Sequence, residues 1–204
     1  GVRADRARQT RQRILEAARI SFTSNGYAAT TLRGIAAAAE VSVPSVELAF
    51  GTKAAVLKAA IDVAIAGDDE PVAVLDRDWT GAAMAAREVD GFLSVASGVL
   101  GAAQERSAGL VLAVFEGSAS DTARDELRDL ASRLVAQREI TASWVVDNLC
   151  RFAALRDDLD RRAAVDTVWL LMDPAVFVRS TRHRGWTTAT YQDWIARSIR
   201  HLLL

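Results

Sequence analysis

Apolar residues recur at helical spacing along most of the chain, and no stretch alternates as a half-buried strand would. Ile14, Leu15, Ala18 and Phe22 share one face and predict a first helix over roughly residues 6–24, which Asn25-Gly26 stops. Thr31 reads as the cap of a short second helix carrying Leu32, Ile35 and Ala36. Ser42 reads as the cap of a third that runs to about Phe50. Gly51 breaks it, and Thr52 caps a fourth with Ala55, Val56, Ala59, Ala60 and Val63 in helical register.

The acidic, turn-forming stretch Ala66 to Pro71 is the best candidate boundary. Helical runs are predicted beyond it near 82–104, 107–117, 121–154 (kinked or broken), 160–172, 174–184 and 188–203. Prolines are confined to Pro44, Pro71 and Pro174, and there is no internal repeat. The expected fold is all-α: a small N-terminal domain over 1–51, a connecting helix over 52–66, and a helical bundle over 67–204.

Composition narrows the class. With 204 residues, 50% hydrophobic and a net charge of −1, the chain can bury a core and is not disordered. No apolar run reaches membrane-spanning length, and the polar start predicts no signal peptide, so a cytoplasmic protein is expected. Cys150, His183 and His201 are too few for a soft-ligand zinc site, and neither metal nor cofactor is expected.

Charge becomes informative when the chain is cut. Residues 1–58 carry nine basic and four acidic side chains, a net +5; the remaining 16 basic and 22 acidic side chains leave −6. A basic head on an acidic body suggests that the head alone meets a polyanion, although a solvated arginine-rich helix has the same composition.

Residues 31–50 are the sharpest local signal. Ala36 is the small residue where two short helices cross, Glu40 stands at the turn four later, and Val46 is the buried aliphatic six beyond, flanked by Ile35 and Val41. This is helix-turn-helix spacing, with the second helix free to enter a major groove. An ordinary αα-corner shares the spacing, and the basic N-terminal segment with Lys53 favours DNA.

Arg11-Gln12-Arg13-Ile14-Leu15-Glu16-Ala17-Ala18, Phe22, Gly26-Tyr27, Thr30-Thr31, Ile35-Ala36, Val41-Ser42, Phe50, Lys53 and Leu57 resemble the N-terminal domain of the tetracycline-repressor (TetR) family of bacterial transcription factors. The segment from Asp160, through Ala163 to Leu171, Arg184-Gly185-Trp186 and the closing Tyr191, Trp194 and Leu202 to Leu204, is similar to actinobacterial-type members. The resemblance implies an all-α homodimer on a near-palindromic double-stranded operator, released by a small-molecule effector. Carried over to this chain, it assigns phosphate contacts to Thr31 and Lys53, and base-edge or methyl contacts to Arg33, Val43, Pro44, Ser45 and Leu48. Arg3, Arg6, Arg8 and Arg11 track the backbone or minor groove, or form a free arm.

Three departures stand out. Glu40 replaces the usual glycine at the turn, where a left-handed backbone would cost about 1 kcal/mol. Pro44 replaces a small residue, which a first helical turn accepts. Glu47 and Ala49 replace an aromatic pair; Glu47 is then a neutral rim residue, a reader of cytosine amino groups, or a sign of weakened DNA binding.

In the body, Trp79, Met84, Phe92, Phe115, Trp144, Phe152 and Trp169 with Asn148 are the candidate lining of a pocket for an apolar or aromatic effector, beside alanine- and glycine-rich helices; the same aromatics also suit a plain core. Val165, Val168 and Met172 on one helix, and Tyr191, Ile195, Ile199 and Leu202 on the last, are the candidate dimer contact. No Walker loop, nucleophile elbow or zinc-protease motif occurs, so no enzymatic role is expected. The alternative from another class is a ligand-binding or structural dimer that no longer binds an operator.

Overall fold

The computed structural model describes residues 2–68, 74–121 and 124–204, with side chains from Ala4 onward. Ten α-helices carry the fold among these residues: α1 (Val2–Ala29), α2 (Leu32–Ala38), α3 (Val43–Phe50), α4 (Lys53–Ala66), α5 (Asp78–Met84), α6 (Val89–Ser118), α7 (Asp125–Leu149), α8 (Arg161–Leu171), α9 (Pro174–Val178) and α10 (Thr188–Leu203). No strand occurs among them, and no helix is long and apolar enough to cross a membrane. The all-α expectation holds.

The caps explain most boundaries. Thr31, Ser42, Asp160 and Thr187 each accept a hydrogen bond from the amide three residues on, and so begin α2, α3, α8 and α10. The Thr52 hydroxyl does the same for α4, accepting from the Ala55 amide at 3.0 Å. Gly26 breaks α1 as Asn25-Gly26 predicted: its φ of 73° lies in the region that favours glycine.

Two expectations need correction. The run expected near 82–104 is divided: its first residues end α5 at Met84, and the rest joins the run expected near 107–117 in one helix, α6. Glu105 and Arg106 between the two runs are both good helix formers. The run expected over 174–184 ends as α9 and continues as a π-helical turn over Arg179–His183. Asp69, Glu70 and Pro71 of the expected boundary lie outside the described residues.

The chain packs as two units. The first is 1–64 with 109–132, and the second is 65–108 with 133–204. In the first unit Ile14, Ala18, Phe22, Ile35, Val46, Val56, Leu57 and Ile61 are buried, joined by Leu110, Val114 and Leu127. Glycines allow the late part of α6 to approach α1 closely. A Cβ on Gly109 would lie 2.8 Å from the Thr23 methyl, and one on Gly117 would lie 2.9 Å from the Tyr27 ring. In the second unit Phe92, Leu149, Val168, Phe177, Tyr191, Ile195 and Ile199 form the centre of the core.

Candidate nucleic-acid interface and associated sites

The helix-turn-helix is built by short-range bonds. After α2 the Val41 amide returns to the Ala36 carbonyl at 3.0 Å, and the Glu40 amide to Ala37 at 3.2 Å. This closure requires a left-handed residue, and Glu40 has φ 54°. Ile35, Ala36, Ala39 and Val46 are buried and hold the two helices together. Glu40→Gly is expected to raise stability by up to about 1 kcal/mol, the backbone strain outweighing glycine's extra unfolded-state freedom. Thermal melting checks this, and a lower melting temperature would contradict it.

Burying Val46 turns the opposite face of α3 outward. Pro44, Glu47 and Ala49 are exposed, Val43 is half-buried, and Leu48 is 91% exposed. So large an apolar side chain in full solvent is unsupported by any packing in its own unit. Ser45 is half-buried, and its hydroxyl lies 2.7 Å from the Ser42 hydroxyl, so it is partly engaged at the cap. Arg33 and Thr31 are exposed at the start of α2, with the Thr31 hydroxyl 3.0 Å from the Gly34 amide. An exposed helix about 10–12 Å wide matches the B-DNA major groove.

Lys53 is placed differently from its expected role. Its ammonium donates to the Tyr27 carbonyl at 2.8 Å and the Thr30 carbonyl at 2.9 Å, and lies 4.1 Å from the Tyr27 ring centroid. Burial pushes its pKa down. The reason is geometric: the chain leaving α1 at Gly26 presents two carbonyls beside the start of α4, and a lysine there satisfies both. The phosphate contact expected of Lys53 would require these bonds to break.

The N-terminal arginines are also partly committed. Arg11 lies over the Phe50 ring at 4.4 Å, and Arg8 pairs with Asp5 at 3.3 Å on the surface. The side chain of Arg3 lies outside the described residues.

Sequence reasoning missed a cleft of about 730 Å³ in the first unit. Tyr27, Leu32, Thr52, Lys53, Glu116, Arg124 and Glu126 are among its lining residues. The Thr52 hydroxyl donates to the Glu126 carboxylate, 2.8 and 3.0 Å from its two oxygens. Burial, and then the Glu126 charge, push the Tyr27 phenol above its ordinary value, while Arg124 opposes them. The Gly109–Ala113–Gly117 spacing was the one sequence signal for the close approach beside this cleft.

In the second unit, four of the expected effector residues meet as an aromatic cluster. Trp144 lies 5.0 Å from Trp79 in an edge-to-face arrangement and 5.9 Å from Phe92, which lies 5.5 Å from Phe152. The Asn148 amide donates to the Trp144 carbonyl of its own helix at 2.8 Å, and the half-exposed Met84 sulfur faces the Arg151 guanidinium. Phe115 belongs to the first unit, and Trp169 stacks elsewhere, 3.8 Å from the Arg138 guanidinium. Arg138 pairs with Asp173 at 2.8 Å, but burial, its larger influence, draws the guanidinium below its ordinary pKa.

The residues of the expected dimer contact lie almost all inside the protomer. Val165, Val168, Met172, Tyr191, Ile195 and Ile199 are all buried in the protomer's own core, because α8 and α10 pack their apolar stripes on one another. The Tyr191 hydroxyl even donates to the Leu171 carbonyl at 3.0 Å, and burial pushes its pKa far up. Only Leu202 of that set is exposed, at 45%, and Leu170 on α8 joins it at 58%.

Residues 14–60 match the family model described as "Bacterial regulatory proteins, tetR family". No curated protein matches the chain. Solved structures do. NalD, the secondary repressor of the MexAB-OprM multidrug efflux pump in Pseudomonas aeruginosa, is 17% identical with TM-score 0.70, each chain 98% covered. The transcriptional regulator FadR from Bacillus subtilis, solved with stearoyl-CoA, is 13% identical with TM-score 0.69, over 95% of this chain and 99% of that one. A TetR transcription regulator from Haloarcula marismortui is 14% identical with TM-score 0.64, over 96% and 98%. At these identities the likeness is one of fold. The family match covers the helix-turn-helix head, residues 14–60, and over the whole chain the likeness to these regulators is one of all-α fold: the head is similar to bacterial regulatory proteins of the tetR family.

Proposed function

We propose that the protein is a ligand-responsive transcriptional repressor that binds a near-palindromic operator as a homodimer, and that it has no catalytic role. The observation that carries this reading is the outward face of α3, where Leu48 stands 91% exposed beside Pro44, Glu47 and Ala49. Thr31 and Arg33 hold the backbone and Val43, Pro44, Ser45, Glu47 and Leu48 face the bases, Leu48 meeting a thymine methyl. The effector is apolar or aromatic and enters at Trp79, Phe92, Trp144 and Phe152; FadR, solved with stearoyl-CoA, is a relative in fold that carries an apolar chain. The two copies meet across the exposed edges of α8 and α10, at Leu170 and Leu202.

Footprinting on the DNA upstream of its own coding region tests the reading. A protected, roughly two-fold symmetric site is expected, with Leu48→Ala weakening specific binding at one base position by about 1–3 kcal/mol and leaving non-specific binding unchanged. Added effector should quench tryptophan fluorescence and release the DNA together. A folded dimer that protects no DNA at low salt would instead support the structural or ligand-binding alternative, for which the exposed carboxylate of Glu47 is the motivating feature.

A further inference from the structure

The cleft of the first unit brings a carboxylate to the part of the head that addresses DNA. Leu32, the first residue of α2, lines it together with Gly51, Thr52, Lys53 and Ala54 at the start of α4. Glu126, on the first turn of α7, is held there by the Thr52 hydroxyl at 2.8 and 3.0 Å. Glu116 lines the same cleft and adds a second negative charge. The cations present are Lys53 and Arg124. Lys53 spends its ammonium on the Tyr27 and Thr30 carbonyls, and Arg124 is exposed. Thr30 is the neighbour of Thr31, the cap of α2, so this network reaches the helix end proposed to hold a phosphate.

We propose that Glu126 sets the DNA affinity of the head from within the chain, as a carboxylate latched on Thr52 that opposes the operator backbone at the joined starts of α2 and α4. The inference rests on the DNA-binding reading above and adds a residue that weakens it. Lys53 keeps its positive charge while donating to neutral carbonyls, so Lys53 and Arg124 together match Glu116 and Glu126, and removing the Glu126 charge alone leaves the cleft lining net positive. Backbone phosphates approaching Thr31 therefore lose the attraction that the cleft's cations would exert within about one Debye length, roughly 10 Å at 0.1 M salt, because Glu126 cancels it. The Lys53 placement belongs to the same arrangement: the lysine that would neutralise a phosphate is turned inward.

Fluorescence anisotropy of the full-length protein on a labelled non-specific duplex and on its upstream DNA, across a salt series, tests this. Glu126→Gln retains an acceptor for Thr52 and removes the charge. It should tighten binding to both duplexes by roughly three- to tenfold at about 50 mM salt, with the gain fading at higher salt. Glu126→Lys should tighten it further. Asp125→Asn, one residue away, 96% exposed and outside the cleft lining, removes the same charge and should change affinity far less. Melting curves confirm that all variants are folded. Wild-type binding that Glu126→Gln leaves unchanged, or that Asp125→Asn raises equally, overturns the inference alone. Absence of binding by wild type and both Glu126 variants at low salt overturns the DNA-binding reading and this inference together.

Discussion

Val168→Glu is expected to abolish the folded body rather than to release a folded monomer. Val168 is fully buried between α8 and α10, in the cluster that contains Tyr191, Ile195 and Ile199. A carboxylate there loses its hydration without gaining a partner, and the loss of packing adds to that cost, so the destabilisation is about 4 kcal/mol or more. Natural domains hold only about 5–15 kcal/mol in all. Ile199→Glu should behave alike. Leu170→Glu and Leu202→Glu, on exposed edges of the same two helices, should cost under about 0.5 kcal/mol of protomer stability and shift light scattering from dimer to monomer. A well-folded Val168→Glu protein by circular dichroism would show that this helix pair is not the core. A stable dimer in both edge variants would place the interface elsewhere.

Lys53→Ala should lower the stability of the head without lowering the salt slope of DNA binding. Its ammonium joins the Tyr27 and Thr30 carbonyls and covers the Tyr27 ring, which itself stacks 6.0 Å from the Phe22 ring. Removing it leaves two carbonyls at the end of α1 without their donor. The site is partly open to water, so the loss is about 1–3 kcal/mol, the lower half being the expectation. A lysine bound to phosphate would behave oppositely, leaving stability near wild type and lowering the slope of log affinity against log salt by about 0.9. Chemical denaturation and a salt series on the same protein separate the two cases. The second outcome would mean that the ammonium swings out when DNA binds.

Elements whose causes lie within a few residues were legible in the sequence. The caps at Thr31, Ser42 and Thr52, the break at Gly26 and the turn at Glu40 all have causes within three to five residues, so their spacing is their cause. The helix-turn-helix could be read for the same reason: Ile35, Ala36 and Val46 are close in sequence and must meet if the two helices form. Boundaries faded where no breaker stood. Nothing between Gln104 and Ser107 marks whether α6 ends or continues.

An apolar stripe states that a face will be buried, not what will cover it. Those of α8 and α10 were expected at a second copy and are covered by each other instead, since either burial removes the same area from water. The aromatics divided likewise: Trp79, Phe92, Trp144 and Phe152 converge, while Trp169 finds Arg138 and Phe115 falls in the other unit. A lysine at a helix start suits a phosphate or a pair of carbonyls equally, and the carbonyls of Tyr27 and Thr30 became available only through the route the chain takes after Gly26. Glu126 and Thr52 stand 74 residues apart, and only folding brought them within 2.8 Å. The sequence by itself determined the helices, their caps and the outward face of α3, because local bonding and periodicity act before any two helices meet. Tertiary structure alone decided which buried faces pair and where Lys53 and Glu126 direct their charges, because those choices depend on partners brought together by the whole chain.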